Sequence, residues 1–470
     1  MSYQPVLQFV AFALFSMAAA CVVPLLLALS GGSTAAPFAV GLALSAFLGG
    51  LVYIISASVR STRSTRSGFR ELILALMIFW AVVPFFASLP FLAQGARITD
   101  AWFEAVSALT TTGAWLSEPT ARGSTGGMLY RASLQWLGGL VSLATAAAVF
   151  VRPEFIGMQP PIPPFARGRR DSYLRAFSAA IAAFAPVYTS VTLMSFAGFV
   201  LTGIKPAASA GLAMSLMASG GFMPIPGGLM ALSPAGITVA VLTMIISAVN
   251  FVVIARLALQ GSSRLKSGPD PETKAFLLLT LPLGFLLWVS TGAGDWDKMP
   301  AQIVNAVSLL STNGFFVGER PGLTPVLVTA VIGGAAVSTA GGIKLLRWLI
   351  TFRRAGQELW RLSHPGGVIG QGQPLIQEFG VWIHTIAFTM VLAALVLTVA
   401  FFGYDLELAA ATAVAVVTNA GPLLLLVEGS TADFVHFAEP LRILLALGMI
   451  AGRLELVLLF LLMDRNFWRG

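Results

Sequence analysis

Residues 100–114 read Asp-Ala-Trp-Phe-Glu-Ala-Val-Ser-Ala-Leu-Thr-Thr-Thr-Gly-Ala, a short apolar stretch closed by a glycine-bearing turn. The turn Thr111-Thr112-Gly113-Ala114 has three counterparts: Ala218-Ser219-Gly220-Gly221, Thr312-Asn313-Gly314-Phe315 and Asn419-Ala420-Gly421-Pro422. Each follows a short apolar segment and precedes a long one. Taking Gly113, Gly220, Gly314 and Gly421 as equivalent, the spacings are 107, 94 and 107 residues, so one unit of about a hundred residues is used four times. Soluble repeat arrays have periods of roughly 20–50 residues. This unit is long enough for two membrane spans and a shorter third segment.

Composition sets the medium. The 470 residues are 57% hydrophobic and only 10% charged, with a mean hydropathy of +0.86, whereas soluble domains carry about 25% charged residues. The chain is an all-α integral membrane protein with room for about ten spans of ~20 residues each, and no space for a soluble domain of ordinary size. The net charge of +8 fits the basic bias of membrane loops better than nucleic-acid binding. Cys21 stands alone and forms no internal disulfide. The first Arg is Arg60 and the first apolar run covers 6–29, too long for a cleaved signal, so it reads as a retained span.

Long apolar runs predict spans near 6–29, 36–58, 69–93, 132–151, 174–200, 234–258, 274–291, 323–349, 379–402 and 439–463. Four shorter segments lie between them, near 100–112, 206–219, 300–313 and 406–420. As helices of ~12–14 residues these reach only ~20 Å, against ~30 Å of hydrocarbon, so they dip in and return. Asp100 and Asp405 stand at expected N-caps, and Pro206 and Pro300 in expected first turns. The expected organisation is 1–60 as two additional N-terminal spans, then four span–pore helix–span repeats around a central pore at 61–160, 161–265, 266–365 and 366–470. Of the 28 Lys and Arg, 20 fall in the loops after even-numbered spans or at the C-terminus. That side is cytoplasmic by the positive-inside rule, with both termini inside and all four re-entrant turns entering from outside.

A helix dipping in from outside points its partly negative C-terminal end at the membrane interior, where it favours a cation. Thr111, Thr112, Ser219 and Thr312 add hydroxyls, and no turn carries Asp, Glu, Lys or Arg. A ring of bare carbonyls suits a dehydrated monovalent alkali cation. The expected ion-binding residues are Thr111, Thr112, Gly113, Ala218, Ser219, Gly220, Thr312, Asn313, Gly314, Asn419, Ala420 and Gly421.

The chain resembles the Trk/Ktr/HKT superfamily of potassium transporters, most closely its bacterial Trk-type membrane subunit. The resemblance rests on Phe103-Glu104, Thr110 to Ala114, Gln135-Trp136-Leu137-Gly138-Gly139, Ser219-Gly220-Gly221-Phe222, Ser338-Thr339-Ala340-Gly341-Gly342-Ile343-Lys344, His364-Pro365 and Gly452-Arg453-Leu454-Glu455. It implies four repeats with one filter glycine each, carried onto Gly113, Gly220, Gly314 and Gly421, with Gly113 favouring potassium over sodium. It also implies uptake across the cytoplasmic (inner) membrane, a homodimer, and a cytoplasmic ring of nucleotide-binding, TrkA-like regulatory subunits. Departures are Ala218-Ser219 for the usual Ser-Thr, Asn313 for a small residue, and Thr418-Asn419-Ala420 for Gly-Asn-Val.

The eighth span is interrupted: 332–342 read Ile-Gly-Gly-Ala-Ala-Val-Ser-Thr-Ala-Gly-Gly, four glycines in eleven residues, with Lys344 following. Each glycine disfavours helix by ~1 kcal/mol. This is either a small-residue packing face or an unwound gate under the filter, and the resemblance implies the gate. The gate residues are Gly333, Gly334, Ser338, Thr339, Gly341, Gly342, Lys344 and Arg453, the last a basic residue deep in a span. His364, His384 and His436 share no metal-ligand spacing and read as ordinary residues, and Asn250 faces other protein for pore or packing. No nucleotide-binding fingerprint is present, no covalent cofactor is expected beyond K+ as bound and transported ion, and nothing points to an enzyme. The alternative is a secondary transporter coupling K+ or Na+ to H+ or Na+ by alternating access.

Overall fold

Proline, glycine and one asparagine decide where the long apolar runs bend. The computed structural model describes residues 3–32, 34–59, 68–116, 125–150, 173–260, 270–292, 294–364, 375–427 and 434–454, and among them every regular element is helical. The chain opens with α1 (Tyr3–Leu27) and α2 (Ala36–Ser58), packed against each other. The run at 69–93 forms three pieces, α3 (Phe69–Ala81), α4 (Val83–Ala87) and α5 (Leu89–Ala93). Pro84 and Pro90 stand in the first turns of the second and third pieces, where a missing N–H costs least.

The rest of the chain alternates long and short helices. They are α6 (Ile98–Leu109), α7 (Thr125–Phe150), α8 (Tyr173–Leu201), α9 (Pro206–Met217), α10 (Pro234–Ala248) and α11 (Phe251–Gln260), then α12 (Pro271–Ser290), α13 (Met299–Leu310), α14 (Leu323–Ile332), α15 (Leu345–Ser363), α16 (Leu375–Phe401), α17 (Leu406–Val417) and α18 (Glu439–Arg453). The four short helices α6, α9, α13 and α17 each have 12 residues. That is ~18 Å of helix, too short to cross. Pro206 and Pro300 do open α9 and α13. Asp405 holds the N-cap position of α17 without a side-chain cap bond. Asp100 lies inside the first turn of α6, which begins two residues earlier, and its carboxylate pairs with Arg97 (2.9 Å) and Arg442 (2.7 Å) instead.

Among the described residues, seven helical stretches are long and apolar enough to cross a membrane, or eight if the bent pair α10–α11 counts as one. Two of the ten expected spans fall short of that length among the described residues. The eighth span is interrupted between Ile332 and Leu345, and the description of the tenth stops at Leu454. The expected continuous span over 234–258 is bent by 103°. Asn250 makes the bend possible: its Oδ1 accepts the Val252 N–H (3.1 Å) and so caps the new helix. The expected boundaries near 60, 160, 265 and 365 lie outside the described residues, as do Arg60, Arg63, Arg66, Arg122, Arg152, Arg167, Arg169, Arg170, Arg264, Lys266, Glu455, Arg465 and Arg469.

Large apolar side chains cover the outer faces: Phe12, Met194, Leu278 and Leu397 are each at least 65% exposed, as lipid contact allows. Inside, small residues let helices approach. A Cβ on Gly138 of α7 would overlap the Leu109 carbonyl at the end of α6, and one on Gly452 of α18 would overlap the Val417 carbonyl at the end of α17. The helix following each short helix also packs on the next short helix: α7 on α9, α10 on α13, α14 on α17, and α18 back on α6. The contacts therefore close into a cycle.

Candidate functional site

Among the described residues, five non-glycines have positive φ: Thr111 (58°), Ser219 (52°), Thr312 (57°), Asn419 (55°) and Lys344 (82°). The first four each stand two residues beyond the last helical residue of a short helix. Each is followed by a residue whose N–H reaches back five positions: Thr112 to Ser107 (2.9 Å), Gly220 to Ser215 (2.8 Å), Asn313 to Ser308 (2.9 Å) and Ala420 to Ala415 (2.8 Å). This is the left-handed helix terminus usually left to glycine. A left-handed residue with a Cβ costs roughly 1–2 kcal/mol, and such strain persists where surrounding structure imposes it.

These bonds fix the register. Thr111, Ser219, Thr312 and Asn419 are equivalent, so the counterparts of Gly113 are Gly221, Gly314 and Gly421. Gly220, expected as the second-repeat equivalent, corresponds instead to Thr112, Asn313 and Ala420. The second turn has two adjacent glycines, and counting from the first shifts the register by one. Serines would have revealed it: Ser107, Ser215 and Ser308 each precede the left-handed residue by four positions. They also brace the turns. Ser107 Oγ donates to the Ala114 carbonyl (2.6 Å), Ser215 Oγ to that of Gly220 (3.0 Å), and Ser308 Oγ accepts the Phe315 N–H (2.8 Å).

Three of the turns meet backbone to backbone. A Cβ on Gly113 would lie 2.7 Å from Gly221 N, one on Gly221 2.7 Å from Thr112 O, and one on Gly421 2.8 Å from Thr112 O. Gly314 is looser, with the nearest atoms of the fourth turn at 3.5 Å. Gly421 N–H donates to Thr112 O across the meeting point (2.7 Å). Asn313 folds its amide back onto Ser311 Oγ (2.9 Å). In the first repeat a buried ion pair, Arg131 to Glu104 (2.8 Å), stands behind the turn, and Glu104 also accepts the Leu116 N–H (2.8 Å).

Directly against the turns lies the segment between α14 and α15, which contacts three of them and is tied to the first through Arg453. Thr339 Oγ1 is 2.8 Å from Ser219 Oγ, Gly341 N–H donates to Thr312 Oγ1 (2.8 Å), and a Cβ on Gly341 would sit 2.8 Å from Thr418 C. Arg453 makes the fourth link. Its Nε donates to Thr110 O (2.6 Å), one terminal nitrogen to Thr111 Oγ1, and the other to Thr339 O (2.7 Å). Glu455 lies outside the described residues. Lys344 turns its ammonium back onto the carbonyls of Ala340 and Ser338. Gly333 (φ 75°) and Gly342 (φ 76°) close the loop on itself, and Gly334 packs on Ala248 O. All eight expected gate residues thus lie in one cluster.

Three further side chains border the cluster, of which the sequence singles out only Asn250, as facing other protein. Asn250 and Glu272 are buried against the loop. His384, expected to be ordinary, lines a cavity of about 30 Å³ beside Ser142, Thr145, Lys344 and Arg453. At the N-terminal end of α13, the Glu319 carboxylate bonded to Lys298 (2.6 Å) raises that ammonium above its ordinary value.

An all-helical, multi-pass membrane protein whose half-length helices end at one meeting point has the architecture of an ion-translocating protein. A family model described as TrkH, cation transport protein, matches residues 43–293, more than half the chain. The Trk system potassium uptake protein TrkH of Vibrio parahaemolyticus is 30% identical over 496 residues, covering all of both chains. TrkH of Escherichia coli (strain K12) is 30% identical over 429 residues, covering 85% of this chain and 86% of that one. The crystal structure of the potassium transporter TrkH from Vibrio parahaemolyticus superposes with a TM-score of 0.84 at 27% identity, covering both chains fully. The chain belongs to the TrkH family of cation transport proteins.

Proposed function

We propose that this chain is the membrane subunit of a Trk-type potassium uptake system, conducting K+ inward through a channel-like pore. The observation that carries this reading is the set of four left-handed turns at matched positions, with one loop against three of them and Arg453 tying that loop to the first. The turns are the selectivity filter, with Gly113, Gly221, Gly314 and Gly421 at the closest approach and neighbouring carbonyls replacing the ion's water shell. The absence of carboxylates and bases from the four turns favours a monovalent cation. The relatives' names, Trk system potassium uptake proteins, support potassium.

The loop from Gly333 to Lys344, with Arg453, is the gate. Arg453 sets a fixed positive charge under the filter and opposes a passing cation. Inward movement of one charge gains ~2.3 kcal/mol per 100 mV of inside-negative potential. The protein works in the cytoplasmic membrane with both termini inside, as a homodimer. The chain carries no nucleotide-binding fingerprint, so nucleotide control would come from a cytoplasmic TrkA-like ring.

Reversal potentials of the purified protein in liposomes test the reading. They should follow the potassium gradient and ignore an imposed sodium gradient. Equal response to both ions would end the potassium assignment. Potassium accumulation driven by a proton or sodium gradient at zero voltage would favour the coupled transporter instead.

A further inference from the structure

The gate loop has two anchors, and sequence reasoning found only one. Arg453 holds the loop from the filter side through Thr339 O (2.7 Å). From the other side comes Glu272, a buried residue in the first turn of α12. One of its carboxylate oxygens accepts the N–H of Ala336, in the middle of the loop. The other accepts from Asn250 Nδ2 (3.3 Å), the residue that caps α11 after the 103° bend. Around this bridge the two chain breaks are laced together. Ala335 N–H donates to Ala248 O (2.8 Å), Phe251 N–H to Val337 O (2.8 Å) and Thr339 N–H to Ser247 O (3.2 Å).

Capping α12 does not explain the carboxylate, because Asp270 already accepts the Thr273 N–H (3.2 Å) as N-cap. Burying a carboxylate is costly unless it is fully bonded. Here its partners come from two discontinuities rather than from its own helix. We propose that Glu272 is a positioning residue that latches the gate loop shut by tying it to the break in the sixth span, so that loop and α11 are released together. The proposal deepens the potassium-pore reading and rests on it.

The test uses the full-length protein in liposomes, comparing wild type with E272A, E272Q and N250A. Potassium flux and potassium/sodium reversal potentials are measured. In the same backgrounds, so is the modification rate of S338C by a small thiol reagent applied from the side opposite the filter. Losing a hydrogen bond to a charged group should shift the closed-to-open ratio roughly tenfold or more. E272A should therefore raise both flux and S338C reactivity by roughly that factor, with the potassium/sodium ratio unchanged. E272Q keeps an acceptor for Ala336 and should lie between, and N250A should raise both less than E272A.

Monodisperse E272A with wild-type flux and wild-type S338C reactivity overturns the latch, as does a change in ion ratio without a change in reactivity. If E272A does not fold, E272Q and N250A decide: raised S338C reactivity in either supports the latch, and none in both overturns it. If wild type carries no potassium, the pore reading fails, while S338C reactivity still reports on the latch.

Discussion

The left-handed turns place unusual demands on single residues. Thr111, Thr312 and Asn419 hold φ values between 55° and 58° despite their side chains, because the reach-back bond to the helix and the loop beneath leave no alternative. The glycines beyond them are required by crowding. A methyl on Gly221 would lie 2.7 Å from both Pro422 Cγ and Thr112 O, and the carbonyl cannot move aside. A methyl on Gly220 would meet the Gln135 side-chain amide at 2.6 Å, the end of a flexible side chain rather than backbone. G221A should thus lower the potassium/sodium permeability ratio by about tenfold, matching an overpacking cost of ~1–3 kcal/mol, while G220A changes it little. Paired reversal potentials measure this, and a larger effect from G220A would restore the register read from sequence. G113S should behave like G221A, since its Cβ would sit 2.7 Å from Gly221 N.

At the scale of elements, Arg453 and the α14–α15 loop form the proposed gate, and removing either should raise flux without erasing selectivity. R453A removes bonds to Thr110, Thr111 and Thr339 together with the charge. Deleting 336–342 removes the plug as well, so it should conduct faster than R453A. Stranded carbonyls cost ~1–3 kcal/mol, so size-exclusion profiles come first; folded variants that conduct no faster than wild type would move the gate elsewhere. Which elements were legible follows from how local their causes are. Twelve-residue helices, their prolines and the glycine-rich break at 332–342 are written in consecutive residues. The α10–α11 bend hangs on one capping side chain, Asn250, inside an unbroken apolar run. Glu272 looks like any acidic residue at a helix start, because its partners lie 22 and 64 positions away. Arg453 stood out only because a charge deep in a span has no neutral reading.

For the whole molecule, the cycle closes where the last repeat returns to the first. Arg442 pairs with Asp100 (2.7 Å), Thr99 bonds Glu439 (2.6 Å), Phe434 N–H reaches Trp115 O (2.8 Å), and Gly421 bonds Thr112 across the centre. In the proposed pore the four short helices enter from one side, and charge should set which side that is. The helix after the proposed gate, α15, carries Arg347, Arg353, Arg354 and Arg361. The connection before α13 holds Asp295 and Asp297 against Lys298. The order of the expected spans assigns 20 of the 28 basic residues to the α15 side, so that side should be cytoplasmic. Two exposed positions test it, one on each side of the filter: Asp297 in the turn before α13 and Ser363 at the end of α15. The native Cys21 is buried and adds little background. In intact cells an impermeant thiol reagent should label D297C at once and S363C only after the membrane is opened. The opposite pattern would turn the protein over: the filter would face the cytoplasm, the gate would face outward, and an inside-negative potential would draw cations through the gate before the filter.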